Sequence, residues 1–232
     1  MKTNFKAVAE EILGRTISTE EGIEISKIEA QEKNIEISIP SSLKEFYATL
    51  GNIPLFVDGY QHFATIEKLF VKDDKLVFLE EHQSVVYWAV DLKNDFTILQ
   101  TTNQDFTKDI EWFEMDFELD TFLLMNLFFQ CVMSDESYHI KAKGGFEYAA
   151  SLDSEEYNRN KVSKNFIDTL SIHWEEVINQ DNMTIYWNKK LNEESIIMYF
   201  SNSENKELEI TACTKSEHFL DKLIDDYGFY QL

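Results

Sequence analysis

Two runs rich in β-branched and aromatic residues, Leu76-Val-Phe-Leu79 and Val85-Val-Tyr-Trp-Ala-Val90, are separated by five polar residues, Glu80 to Ser84. Such runs joined by a short polar connection predict two antiparallel strands and a turn. A second polar connection, Asp91 to Asp95, leads into Phe96-Thr-Ile-Leu99, which predicts a third strand. A hairpin alone is marginal in water, whereas a three-stranded meander with one apolar face can hold helices against that face. The expected fold class is therefore α+β, with the chain organised around residues 76–99.

The composition supports a real core, because 44% of the 232 residues are hydrophobic and 14% aromatic. Only 2 Pro and 7 Gly occur, which excludes collagen-like and linker-rich architectures, and no repeat of solenoid period is present. Met1-Lys-Thr-Asn-Phe-Lys6 is followed by Ala-Val-Ala-Glu-Glu and not by the apolar core of a secretory signal, so a cytoplasmic protein is expected. The longest apolar stretch, Thr121 to Met133, contains Asn126 and Gln130 and falls short of a bilayer span. Cys131 and Cys213 show no CxxC or Cys/His spacing, as reduced, packed thiols would. The net charge of −22 disfavours nucleic acid and anionic membrane as direct partners and favours a basic protein. Solubility alone would also account for an acidic surface.

Along the chain, Phe5, Val8, Ile12 and Leu13 share a helical face that ends at Gly14. Ser18 or Thr19 can cap a second helix, with Glu20 and Glu21 at its positive end and a stripe of Ile23, Ser26/Lys27 and Ala30 running toward Lys33. Ile35 to Ile39 alternates as a short strand would, and Pro40 stops it. Ser41 or Ser42 then caps a helix whose Leu43, Phe46, Tyr47 and Leu50 share a face, closed by Gly51 and Asn52.

The order of these parts resembles the SUKH superfamily. A helix carrying Glu29 is followed by Ile39-Pro40, the aromatic helix Leu43-Lys-Glu-Phe-Tyr-Ala-Thr-Leu50, the turn Gly51-Asn52, strands including Val85 to Asp91, and a late acidic-aromatic helix. The resemblance covers residues 5 to 133. The turn here reads Gly51-Asn52-Ile53 where that superfamily often has Asn-Gly, and Pro54 to Phe70 is an insert. The resemblance implies a SUKH-like meander packed with helices over residues 1–133. It also implies a bacterial immunity protein that binds and neutralises a toxin domain. Fungal relatives, as regulatory scaffolds in cell-wall assembly, imply the alternative of an adaptor for an endogenous partner.

Asp105 to Asp120 holds the densest charge: Asp105, Asp109, Glu111, Glu114, Asp116, Glu118 and Asp120 against Lys108. Acidic and apolar residues alternate imperfectly over Glu111 to Glu118, which predicts an extended segment with one face buried and one negative. Leu119 to Met133 then forms an apolar helix whose Phe122, Met125, Phe129 and Val132 should press onto the meander.

Residues 134–232 predict a second, smaller α+β unit. Gly144-Gly145 marks a turn, Phe146 to Ala149 a brief apolar element, and Ser154-Glu-Glu-Tyr157 a short helix. Phe166 to Ile178 reads as a helix with Ile167, Leu170, Trp174 and Val177 on a face. Strands are expected at Met183 to Trp187, Ile196 to Phe200 and Leu208 to Thr211, and a capped helix at Ser216 to Asp226 carries Phe219, Leu220 and Leu223.

No catalytic signature accompanies this architecture. His62, His82, His139, His173 and His218 are scattered without ligand spacing, and adjacent carboxylates such as Glu80-Glu81, Glu175-Glu176 and Asp225-Asp226 arise by chance among 43 acids. Neither a GxSxG elbow nor a phosphate-binding loop nor a dinucleotide glycine motif occurs. An enzyme would require a deep pocket with converging carboxylates or histidines; the expectation is a non-enzymatic protein with no cofactor and no metal. Trp88, Trp174 and Trp187 lie in apolar periodic segments and read as core. Trp112 stands between carboxylates, so a partner-binding patch of Glu111, Trp112, Glu114, Asp116 and Glu118 is expected, facing a basic toxin domain such as a nuclease.

Overall fold

Asn4 accepts a hydrogen bond from the Ala7 amide at 3.0 Å, and Gly14 closes the last turn in a left-handed conformation, so α1 (Phe5–Leu13) is capped at both ends. The computed structural model describes residues 3–152, 166, 168–170, 172–180, 183–190, 193–202 and 207–232. The chain divides into two compact units, Met1–Gln130 and Cys131–Leu232. Each contains one antiparallel sheet with helices, and the fold is α+β.

The helix expected after Ser18 is split. Thr19–Glu21 makes a single 3-10 turn, Gly22 is extended, and α2 (Ile25–Asn34) begins afterwards. Glu21 accepts from the Ser18 amide at 2.9 Å and takes both terminal nitrogens of Arg15, at 3.0 and 2.6 Å. The Arg15 guanidinium holds the Glu21 carboxyl down to about 2. Gly22 is required by proximity: a Cβ there would stand 1.8 Å from the Ala48 carbonyl oxygen. The buried side chains of α2 are Ile28 and Gln31, whereas Ser26, Lys27 and Ala30 face solvent.

Ile35 to Ile39 is not a strand. Glu36 has a φ of 57°, and the Ile37 and Ile39 amides go to the Glu32 backbone and side chain at 3.2 and 2.8 Å. Local acceptors thus outcompete a ladder, although the alternation still buries Ile39. Next comes α3 (Ser41–Leu50), whose N-cap is Pro40; Ser41 and Ser42 lie inside the first turn and neither caps it. Pro54 opens α4 (Pro54–Asp58).

The meander forms where the apolar runs place it. β1 (His62–Phe63), β3 (Lys75–Glu80), β4 (Tyr87–Asp91), β5 (Ile98–Thr101) and β6 (Phe113–Glu114) follow one another across the sheet, and β2 (Phe70–Lys72) also pairs with β3. Leu76 faces Val90, and a bulge after Val77 brings Leu79 opposite Trp88. The third strand starts at Ile98; Phe96 belongs to the turn before it.

α5 (Leu119–Met133) has the predicted span. Rings run as a continuous core from α1 to α5: Phe5 to Phe46 at 5.9 Å, Phe46 to Phe63 at 4.7 Å, Phe63 to Phe78 at 6.1 Å and Phe78 to Phe122 at 6.0 Å. Phe122 and Val132 are buried, but Met125 and Phe129 are half-buried, because Leu123, Leu127 and Phe128 bury a second face that a single stripe does not capture. Gln130, fully buried, accepts from the Tyr60 and Gln61 amides at 2.6 and 3.0 Å and donates to the Gln61 carbonyl at 2.7 Å.

In the second unit, α6 (Glu136–Lys141) and the Gly144-Gly145 turn precede β7 (Tyr148–Leu152). The element expected at Ser154 to Tyr157 lies outside the described residues. Helical residues end by His173, and Glu175–Gln180 is a strand, β8, paired with β9 (Met183–Asn188), so the helix expected to Ile178 stops short. β10 (Ser195–Asn202) and β11 (Glu207–Thr214) complete the expected strands. After α7 (Glu217–Tyr227), capped by the Ser216 hydroxyl, β12 (Tyr230–Gln231) returns to pair with β7. The sheet order is β12-β7-β11-β10-β9-β8. Phe219, Leu220 and Leu223 pack with Leu152, Phe166, Leu170, Ile197 and Ile210 as its core.

His139 is buried in this unit, and its Nδ1 accepts from the Phe146 amide at 3.0 Å. A Cβ on Gly145, whose φ is 104°, would come within 2.4 Å of that nitrogen. Burial pushes the imidazole pKa down to about 4, against the Cys131 backbone and the Asp135 charge that favour the proton. Between the ordinary value of 6.5 and about 4 the unfolded chain binds the proton and the folded chain does not, so stability falls as pH drops through that window. The melting temperature should therefore fall between about pH 7 and about pH 5, and His139→Asn should flatten the dependence. Equal pH slopes for the two proteins would contradict this.

Candidate partner-binding surface

The acidic segment is held by a short ladder and a ring cluster. Phe113 and Glu114 pair with Gln100 and Leu99 of β5, and the Met115 amide donates to the Ile98 carbonyl at 2.9 Å. Before it, Asp105 accepts from Lys108 at 2.8 Å and from the Thr107 amide and hydroxyl, so the Lys108 ammonium first and Thr107 second hold its carboxyl below the ordinary range. Phe106 sits between Phe70, Tyr87 and Trp112, with centroid distances of 5.0, 5.1 and 6.5 Å.

Trp112 is thus half-buried against Phe106, with its indole nitrogen inside and without a partner. The exposed ring of the segment is its neighbour Phe113, 49% accessible. Glu111, Glu114, Asp116 and Glu118 are all exposed. Glu114, Asp116 and Glu118 line one hollow of about 400 Å³, joined there by Asp95 and Asp120 and by Ser41 and Ser42 at the start of α3. Among the described residues lining that hollow none is basic. The positive end of α3 offsets part of the carboxylate charge lining this concavity. Glu111 and Trp112 lie outside it, so the segment divides into a concave acidic part and a flanking part.

Asp120 belongs to the acidic run read from the sequence but not to the expected patch, and Asp95 lies outside both; the fold brings them into the hollow. Asp120, in the first turn of α5, accepts from the Thr3 amide at 3.3 Å, whereas Asp95 sits in the β4–β5 turn. That turn is organised by Asp91, which accepts from the Lys93 and Asn94 amides at 2.8 and 3.3 Å and lies 3.7 Å from Lys75. Burial works to raise the Asp91 pKa, but the Lys93 amide and the Lys75 charge override it and hold the carboxyl below the ordinary range.

Groupings with other chemistry are sparse. Among the described residues no three His, Cys, Asp or Glu side chains converge as a metal ion would need, and no helix is long and apolar enough to cross a membrane. His62 pairs with Asp58 at 2.7 Å, and His82 pairs with Glu81. Cys131 and Cys213 are buried, and burial raises both thiols well above the ordinary range, which makes them poor nucleophiles. No family model, curated protein or solved structure matches this chain.

Proposed function

We propose that this chain is a non-enzymatic, cytoplasmic immunity protein of the SUKH type, which binds a basic toxin domain and blocks its active site or substrate groove. The observation that carries the reading is the concave row of Glu114, Asp116 and Glu118 with Asp95 and Asp120, with no basic residue described in its lining, on a chain of net charge −22. A basic nuclease surface carries the complementary field, because it must hold a polyanion. Long-range attraction accelerates encounter, and apolar contact sets the lifetime of the complex. Glu111, beside the hollow, adds to the field; Trp112 braces the segment from within. The order Glu29, Ile39-Pro40, Leu43 to Leu50, Gly51-Asn52 and Val85 to Asp91 supports the same class.

Co-expression provides the test. Cells producing a toxin domain encoded beside this gene should regain growth when the chain is supplied, and the two purified proteins should form a stable complex. Persistent killing together with an absence of complex would refute the proposal.

A further inference from the structure

A second hollow, of about 560 Å³, adjoins the acidic one and shares Pro40, Ser41 and Phe96 with it. Its lining is largely apolar, with Ile25, Ile39, Pro40, Ala48 and Phe96. Its one cation, Lys44, is held by Glu32 at 2.6 Å. Two of the large hydrophobic side chains left exposed, Ile25 at 48% and Phe96 at 44%, stand at this place. Phe96 is therefore a ridge with an apolar concavity on one side and a carboxylate-lined concavity on the other.

The ridge is pre-set. Asp95 and Phe96 have φ of 45° and 59°, which non-glycine residues seldom adopt. The Thr97 amide donates to the Asn94 carbonyl, the Asp91 amide to the Thr97 carbonyl, and the Asn94 side chain to Asp91, all within 3.1 Å. A turn whose backbone is fixed this way loses little backbone freedom when its side chain is covered, which favours association.

We infer that these two hollows seat a single segment of the basic protein partner, in which an arginine or lysine neighbours an apolar side chain. The apolar side chain lies against Ile25, Ile39 and Phe96, and the cation enters among Asp95, Glu114, Glu118 and Asp120. The inference rests on the partner-binding reading above and gives the partner's segment its chemistry. Charge complementarity selects this occupant: an acidic or purely apolar segment would place nothing opposite the carboxylates of Asp95, Glu114, Glu118 and Asp120.

The test titrates the isotope-labelled full chain with a short peptide alternating arginine and leucine, followed by amide chemical shifts. Control peptides carry glycine for leucine or glutamate for arginine. Saturable shifts should centre on Ile25, Phe96 and Glu118, the glycine peptide should bind about tenfold more weakly, and the glutamate peptide should not bind. Phe96→Ala and Ile25→Ser, on separate elements, should each weaken binding of the arginine–leucine peptide by about tenfold, with unchanged melting temperatures marking either as folded. Shifts spread evenly over the acidic surface, or unaltered affinity in a folded variant, would overturn the inference. Because the peptides are independent of any toxin, that failure is separate from failure to rescue cells, which would remove the immunity reading instead.

Discussion

Gly22→Ala is expected to destabilise the chain by about 3 kcal/mol, lowering its melting temperature by roughly 10 °C. The added methyl would stand 1.8 Å from the Ala48 oxygen and 2.5 Å from its carbon, and both belong to backbone that cannot rotate away. Relief requires the segment to separate from α3, which disturbs the Ile23 amide bond to the Tyr47 carbonyl at 2.9 Å and the Asn52 side-chain bond to the Gly22 carbonyl at 2.7 Å. Thermal unfolding monitored by circular dichroism checks this. A loss below about 1 kcal/mol would show that the segment accommodates a Cβ without separating.

Gln130→Leu should be at least as damaging, at about 4 kcal/mol, despite preserving volume. The glutamine lies in an apolar helix because one amide group satisfies the bend between α4 and β1, through the Tyr60 and Gln61 amides and the Gln61 carbonyl. Leucine strips an acceptor from two amides and a donor from a carbonyl in a site closed to water. Amide hydrogen exchange at Tyr60 and Gln61 should accelerate in step with the lost stability. Unchanged exchange at both positions would contradict the role given to Gln130.

These two residues also show where sequence reasoning reaches its limit. The unbroken β-branched and aromatic runs Leu76 to Leu79 and Val85 to Val90 mark β3 and β4 in advance, and caps at Gly14 and Ser216 mark α1 and α7, because those signals are local. Ile35 to Ile39 alternates as a half-exposed strand would but makes no ladder, since the Glu32 carboxylate takes the Ile39 amide. Phe166 to Ile178 mixes helical spacing with a short apolar end, and pairing of Glu175 to Gln180 with β9 decided that end in favour of strand. The acidic segment was legible as a charge run. Its concavity was not, because Asp95 and the start of α3 reach it only through the tertiary fold, and Phe96 had the composition of a strand residue.

The central claim is that a preformed negative surface draws in a basic protein, and association kinetics test it most directly. The chain and the basic toxin domain proposed as its partner would be mixed in a stopped-flow instrument over a range of salt concentrations, together with the variant carrying Glu111→Lys, Glu114→Lys, Asp116→Lys and Glu118→Lys. The native chain should associate rapidly and slow steeply with added salt, while the variant associates about a hundredfold more slowly at low salt with a flattened salt dependence. Identical rates and salt slopes for the two proteins would contradict the claim.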